Sequence, residues 1–248
     1  MSIICKNCGV HFKGHYCPNC SQKANAGRLK ISNVADEFWH NLTHTDKGYM
    51  SLLINMIKRP GFVIREYIDV KRKKYFNPYT FYLVTTALLI FVTGLVFKYE
   101  DKLYDYRNEY GQYLNAHYNI ITLCCMPVLA LILMGIFYKR KLNYAEWITF
   151  LVFSFGLINF FQIFVQLSYF PLIKFHARAS PYTSIIGYVF LFIILIRFIE
   201  IKKWWQVLQC IVATILIYYF VELIGQLVAL WLWGVPLEKL IQMFKNSF

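Results

Sequence analysis

Charge is scarce in this chain of 248 residues, with Asp, Glu, Lys and Arg making up 16% against about 25% in soluble globular proteins. Acidic residues are the scarcest, 13 against 26 Lys and Arg. There is no low-complexity linker and no internal repeat, and the shortage of charge excludes a disordered chain. Also missing are a phosphate-binding loop, a nucleophile paired with a base, and a metal site with an open position, so an enzyme ranks last among the function classes the sequence offers. The N-terminus opens on Cys5-Lys6-Asn7-Cys8 rather than on a charged stub and an apolar core, so no signal peptide is expected.

What fills the chain is apolar surface. Hydrophobic residues reach 58% and aromatics 19%, with 22 Phe, 19 Tyr and 6 Trp. The formal net charge is nevertheless +13. A chain both this apolar and this basic reads as an integral membrane protein, because phosphate-reading proteins are seldom so hydrophobic, and nucleic acid is not expected as a partner. The two properties separate along the chain. Residues 1–79 carry 13 Lys and Arg against 5 Asp and Glu, whereas every long apolar run follows Asn77-Pro78. A spanning helix needs about 20 mostly apolar residues, and five stretches qualify: 79–97, 118–138, 147–170, 182–199 and 205–233. The fourth is the shortest and relies on Arg197 snorkelling to the interface. Interfacial aromatics mark the ends, among them Tyr79, Tyr138, Trp147, Trp204 and Trp233. The expected fold is an all-α integral membrane protein with five transmembrane helices in 78–248, a small four-cysteine zinc ribbon in 1–27, and amphipathic juxtamembrane helices in 28–77.

Orientation follows from charge. Lys71-Arg72-Lys73-Lys74 precedes the first span, Lys139-Arg140-Lys141 follows the second, and Arg197, Lys202 and Lys203 follow the fourth. The segment after the first span is instead balanced by Glu100, Asp101, Asp105 and Glu109. Cationic loops stay inside, which puts the N-terminus in the cytosol. Thiolates poised for metal need the same reducing compartment. Five spans then place 235–248 outside, where Leu237, Leu240, Ile241 and Phe244 repeat at helical spacing.

Two pairs carry the strongest chemistry: Cys5-Lys6-Asn7-Cys8 and Cys17-Pro18-Asn19-Cys20. Two such C-x-x-C turns bring four thiolates to one tetrahedral centre, which suits Zn²⁺, with iron the other metal such a site takes. Gly9 permits the tight turn after the first pair. A segment this short cannot bury a sufficient core, so the metal would supply its folding energy. Four ligands leave no open position, which makes the role structural. Cys124, Cys125 and Cys210 lie in spans and read as small apolar packing residues.

Between ribbon and membrane, Ser32 is placed to cap a helix running to Leu42. On it Glu37, His40 and His44, followed by Asp46, form a second candidate polar or metal cluster, the plain alternative being packing against Phe38 and Trp39. Arg59-Pro60-Gly61 breaks the next helix. Phe62 to Tyr75 reads as one amphipathic helix whose last cations, Lys71, Arg72, Lys73 and Lys74, would hold it to the anionic cytoplasmic leaflet. Asn77 is placed to cap the first span, with Pro78 at its first helical position.

In this order the two C-x-x-C pairs, Glu37-Phe38-Trp39-His40, His44-Thr45-Asp46-Lys47-Gly48, Arg59-Pro60-Gly61, Arg65-Glu66-Tyr67 and Lys71-Arg72-Lys73-Lys74-Tyr75 resemble a bacterial membrane family, typical of Bacteroidetes, known as domain of unknown function 3667. The resemblance covers about the first 98 residues and implies a zinc-ribbon membrane protein. It carries no activity, substrate or catalytic residue. The chain departs from the pattern at Val70, where glycine is expected before the basic run.

Inside the spans, Asn159, Gln162 and Gln166 share one face of the third, and Thr214, Tyr218, Glu222 and Gln226 line up in the fifth. An intramembrane ionisable residue is a functional lead, and interhelical hydrogen bonding is the plain alternative. Three functions follow: a membrane-anchored interaction, scaffolding or regulatory module that meets a cytosolic protein or a second copy; a small-solute or ion transporter or channel along the polar faces of the third and fifth spans; and a membrane enzyme built on Glu37, His40 and His44.

Overall fold

In the computed structural model, Asn77 Oδ1 accepts the backbone N–H groups of Tyr79 (2.9 Å) and Thr80 (3.2 Å). Pro78 opens the first long helix, so the cap expected from sequence is in place. The structure describes residues 2–25, 27–29, 48–104, 109–169 and 180–233. The candidate cluster Glu37, His40, His44 and Asp46, the Ser32 cap and the C-terminal segment 235–248 lie outside the described residues.

The first element is a short antiparallel hairpin, β1 (Ile3–Ile4) with β2 (His11–Phe12), in register Ile3 opposite Phe12. Two amphipathic helices follow, α1 (Tyr49–Lys58) and α2 (Pro60–Ile68), then a 3₁₀ turn at Arg72–Lys74. The apolar half holds α3 (Pro78–Tyr104), α4 (Glu109–Ile136), α5 (Tyr144–Tyr169), α6 (Ser180–Ile199) and α7 (Trp204–Trp233), with a 3₁₀ turn at Tyr138–Arg140. Among the described residues, four helices are long and apolar enough to cross a membrane, over Arg72–Val96, Tyr118–Ile136, Tyr144–Ser168 and Trp204–Val228. The fifth expected span is α6, whose apolar stretch Ile185–Ile199 is shorter. Its 20 residues nevertheless extend about 30 Å at 1.5 Å per residue, the thickness of a hydrocarbon core.

Helix α5 is the centre of the bundle. Its apolar stretch is 61% buried, against 28–44% for the other three long helices. It packs against α3, α4 and α6, and at one end against α1 and α2, while α7 lies on α4 and α6. Trp147, Phe150, Leu151 and Phe153 of α5 are fully buried. Leu88, Phe91 and Leu95 of α3 and Leu208, Ile215 and Leu223 of α7 stay exposed, the outward apolar belt that a bilayer would cover.

The single helix expected over Phe62–Tyr75 is divided. Helix α2 stops at Ile68, and Val70 takes φ +93°, which no helical residue adopts. Lys71 N–H donates to Glu66 O (3.0 Å) and Val70 N–H to Tyr67 O (3.3 Å), the paired closure in which the residue after the cap is left-handed. Glycine occupies that position at least cost, which is why the pattern favours it and why Val70 departs from it. The break at Arg59-Pro60-Gly61 is as expected, with Pro60 starting α2, but Gly61 does not loosen the chain. It is buried, and a Cβ there would stand 2.4 Å from the Arg197 carbonyl carbon and 2.5 Å from Phe198 N. Only glycine lets α2 lie this close to the end of α6.

A four-cysteine centre seated on the helical bundle

Each C-x-x-C closes the same turn. Cys5 N–H donates to Val10 O and Gly9 N–H to Cys5 O, and the second turn repeats this with Cys17 to Gln22 and Ser21 to Cys17, each at 2.9 Å. Gly9 (φ +77°) and Ser21 (φ +56°) hold the equivalent left-handed positions. The β1–β2 hairpin brings the two turns face to face. Cys5 Sγ lies 3.5 Å from Cys20 Sγ, and Cys8 Sγ lies 3.5 Å from Cys17 Sγ. All four sulfurs fall within 4.8 Å of one another. Thiolates about 2.3 Å from a tetrahedral ion stand about 3.8 Å apart, so this donor set can hold one metal ion. The thiols are unequal: Cys8 is drawn down to about 6, first by the Val10 backbone N–H, and Cys20 is pushed up to about 11, first by burial. A bound cation removes that inequality by stabilising every thiolate at once.

The ribbon is fastened to one end of the bundle. Gln22 Nε2 donates to Val70 O (2.9 Å), and Arg72 Nη2 to Gly27 O (2.8 Å). Arg28 grips Glu146 with two bonds of 2.7 Å and also donates to Lys141 O. Glu146 is at the same time half of a capping box on α5: its N–H donates to Asn143 Oδ1 (2.9 Å), and Asn143 N–H donates to Glu146 Oε2 (2.8 Å). Asn143 Nδ2 donates to Leu29 O (2.9 Å), so the ribbon's tail is held where α5 begins. The Glu146 side chain is only 3% exposed, which the charge tolerates because all these donors converge on it.

A second joint ties α2 to α6. Arg65 Nη1 donates to the carbonyls of Arg197 and Phe198 at 2.8 Å each, and Arg65 Nη2 pairs with Glu200 at 2.7 Å. A guanidinium there satisfies carbonyls left over at a helix C-terminus and meets its negative dipole. Tyr67 is buried with its ring edge-on to Phe153 of α5, centroids 5.2 Å apart.

The basic run is divided between partners. Lys71 and Lys74 each donate to Glu66 at 2.6 Å, and the Tyr75 hydroxyl donates to the same carboxylate. Burial alone would raise Glu66, but the bonds from Lys71, Lys74 and Tyr75 outweigh it and hold the carboxyl down at about 2. Arg72 is committed to Gly27, so of the four cations Lys73 alone has no such partner among the described residues.

Within the spans, Asn159 is buried and donates to Thr86 Oγ1 (2.8 Å), tying α5 to α3. Asn159 and Gln162 also line a small cavity with Tyr118, Asn119 and Thr122 of α4 and Tyr188 of α6. It has about 10 Å³ of open space, room for about one water. The Tyr118 and Tyr188 hydroxyls lie 2.6 Å apart beside it. Among the described residues, Gln166, Glu222 and Gln226 are not in its lining, and Tyr218 of α7 meets it only through the Tyr188 ring, centroids 5.0 Å apart. Cys125 and Cys210 are buried as packing residues, whereas Cys124 faces outward.

Sequence reading missed the seat. Arg28 and Gln22 give no local signal, because their partners lie 118 and 48 residues away. The Asn-x-x-Glu spacing at Asn143 and Glu146 was a legible capping signature.

No curated protein and no solved structure matches the chain. Residues 48–90, from the start of α1 to the middle of α3, match the model of a family described as protein of unknown function (DUF3667).

Proposed function

We propose that the chain is a multi-pass protein of the bacterial cytoplasmic membrane that presents a structural zinc ribbon to the cytosol as an interaction module. The observation that carries this reading is a ribbon fixed at its base and open at its top. Its base is bonded to the Val70 turn and to the start of α5, while Ile3, Ile4, Val10 and Tyr16 remain exposed around the cysteine turns. Exposed apolar side chains on so small a unit fit a protein-binding surface. Zinc fits the four sulfurs as a closed, structural ion and gives the ribbon the rigidity that a docking surface needs.

Topology follows the charges. The Lys71–Lys74 turn, Lys139–Lys141 and Arg197 with Lys202 and Lys203 all belong to the end that carries the ribbon, which supports a cytosolic N-terminus. Lys73 and the outer loop cations would meet the anionic leaflet. Five crossings put the C-terminus in the periplasm.

Metal analysis of purified, reduced protein tests the core of this reading. About one zinc per chain is expected, lost when Cys5 and Cys17 become Ser; metal-free reduced protein refutes it. A photo-reactive residue in place of Tyr16 should form an adduct with a cytosolic protein in living cells, and that adduct should disappear on Ile4→Asp. An adduct indifferent to Ile4→Asp, or none, removes the interaction role. A periplasm-active reporter fused after Phe248 should be active, and silence there contradicts the five crossings.

A further inference from the structure

Helix α1 divides its surface among three environments. At about 100° per residue, Tyr49, Leu52, Leu53 and Met56 fall on one side; Ser51, Asn55 and Lys58 fall on a second; Met50, Ile54 and Ile57 fall on a third. The first side is packed on the bundle: Leu52, Leu53 and Met56 are buried, and the Tyr49 ring lies 5.5 Å from that of Phe81, in the first turn of α3. The third side is apolar yet exposed, by 60% at Met50, 47% at Ile54 and 46% at Ile57. Phe62 of α2 extends the same character, with the Arg59 guanidinium 5.1 Å above its ring.

A helix lying on a bundle in water needs two faces, one packed and one polar. A third, apolar face has a ready partner when the helix lies at a membrane boundary, where protein, water and acyl chains meet. The fold places α1 there. It contacts α5 and the first turn of α3, the helix on which Leu83, Val84 and Leu88 are exposed further along. The two cations at its end are exposed: Lys58 at the border of the polar and exposed apolar faces, and Arg59 at the cap, over the ring of Phe62.

We infer that α1 is an in-plane membrane anchor whose Met50, Ile54 and Ile57, with Phe62 beyond its end, enter the acyl layer of the cytoplasmic leaflet while Lys58 and Arg59 meet the phosphates of anionic phospholipids. The inference rests on the reading that the long helices span a bilayer. It gives the matched domain a concrete role: its two short helices set the depth of the ribbon relative to the lipid surface.

The test uses the full chain in vesicles of phosphatidylethanolamine and phosphatidylglycerol, with p-benzoylphenylalanine introduced singly at Ile54, Ile57, Ser51 or Phe91. Phe91 lies on the exposed belt of α3 and reports whether the bundle spans. After illumination, mass spectrometry should find chain-plus-phospholipid adducts at Phe91, Ile54 and Ile57, several-fold more than at Ser51. Lipid adducts at Phe91 without any at Ile54 and Ile57 overturn this inference alone. Adducts from Ile54 to a second copy, or to segment 30–47 of the same chain, overturn it as well, since the face then has a protein partner. No lipid adduct at Phe91 removes the spanning reading and the inference with it. Replacing phosphatidylglycerol by phosphatidylcholine should lower the yield at Ile57, and an unchanged yield refutes the part given to Lys58 and Arg59.

Discussion

Helix propensity and packing make opposite predictions for Gly61→Ala. In a helix interior, alanine is favoured over glycine by about 0.8–1 kcal/mol, so propensity alone predicts a stabilised α2. The surroundings of Gly61 reverse the sign. The new Cβ would stand 2.4–2.6 Å from backbone atoms of Arg197 and Phe198, which cannot rotate away as a side chain could. Ordinary carbon contacts need about 3.5–4 Å, so α2 must retreat by about 1 Å or more. Overpacking of this kind costs about 1–3 kcal/mol. The retreat also pulls Arg65 from the Arg197 and Phe198 carbonyls, now 2.8 Å away, and losing one charged hydrogen bond costs about 1.5–3 kcal/mol. After the propensity gain is subtracted, Gly61→Ala should destabilise by about 2–5 kcal/mol. For a chain of this size that is a drop in Tm on the order of 5–15 °C. Thermal unfolding of the detergent-solubilised chain reads it directly. Gly94→Ala and Gly135→Ala are the controls, because a Cβ at either position meets nothing within 4 Å, and neither should lower Tm. A Gly61→Ala protein melting at or above the wild-type temperature would refute the close approach of α2 and α6.

Val70→Gly should raise Tm, because a β-branched residue at φ +93° stores about 1–3 kcal/mol of backbone strain; a lower Tm would mean that side-chain packing outweighs the strain. Glu66 supplies an acid-labile joint. Its carboxyl sits at about 2 rather than at the ordinary 4.5, so its contribution is complete above pH 4.5 and is lost as pH falls towards 2. Glu66→Gln should flatten the stability-versus-pH curve across that window, and a curve of unchanged slope would show that Lys71 and Lys74 do not hold the carboxylate. Arg28→Ala leaves the Glu146 carboxylate, 3% exposed, without its partner, at about 1–3 kcal/mol. In Arg28→Ala/Glu146→Gln the loss should be smaller than in the single Arg28 variant, and equal losses would mean that the pair is not coupled.

The sequence by itself determined the elements that depend on local chemistry. The C-x-x-C spacing was enough for the four-sulfur cluster, because each turn is closed by its own backbone. Long uncharged runs were enough for the apolar helices, since length and hydropathy are local sums. The Asn77-Pro78 start and the break at Arg59-Pro60 were legible for the same reason, and even the misfit of Val70 was visible in the pattern before its left-handed backbone explained it. Only the tertiary structure decided how these pieces are joined. Arg28 meeting Glu146 and Arg65 meeting the end of α6 each depend on where a chain reversal puts two distant backbones. The roles of the motif Arg59-Pro60-Gly61 and Arg65-Glu66-Tyr67 belong here too: a glycine selected for lack of volume and an arginine selected for a foreign helix end leave no periodicity to read. Local free energies write themselves into spacing and composition, whereas contacts across 48 to 133 residues exist only once the bundle has packed.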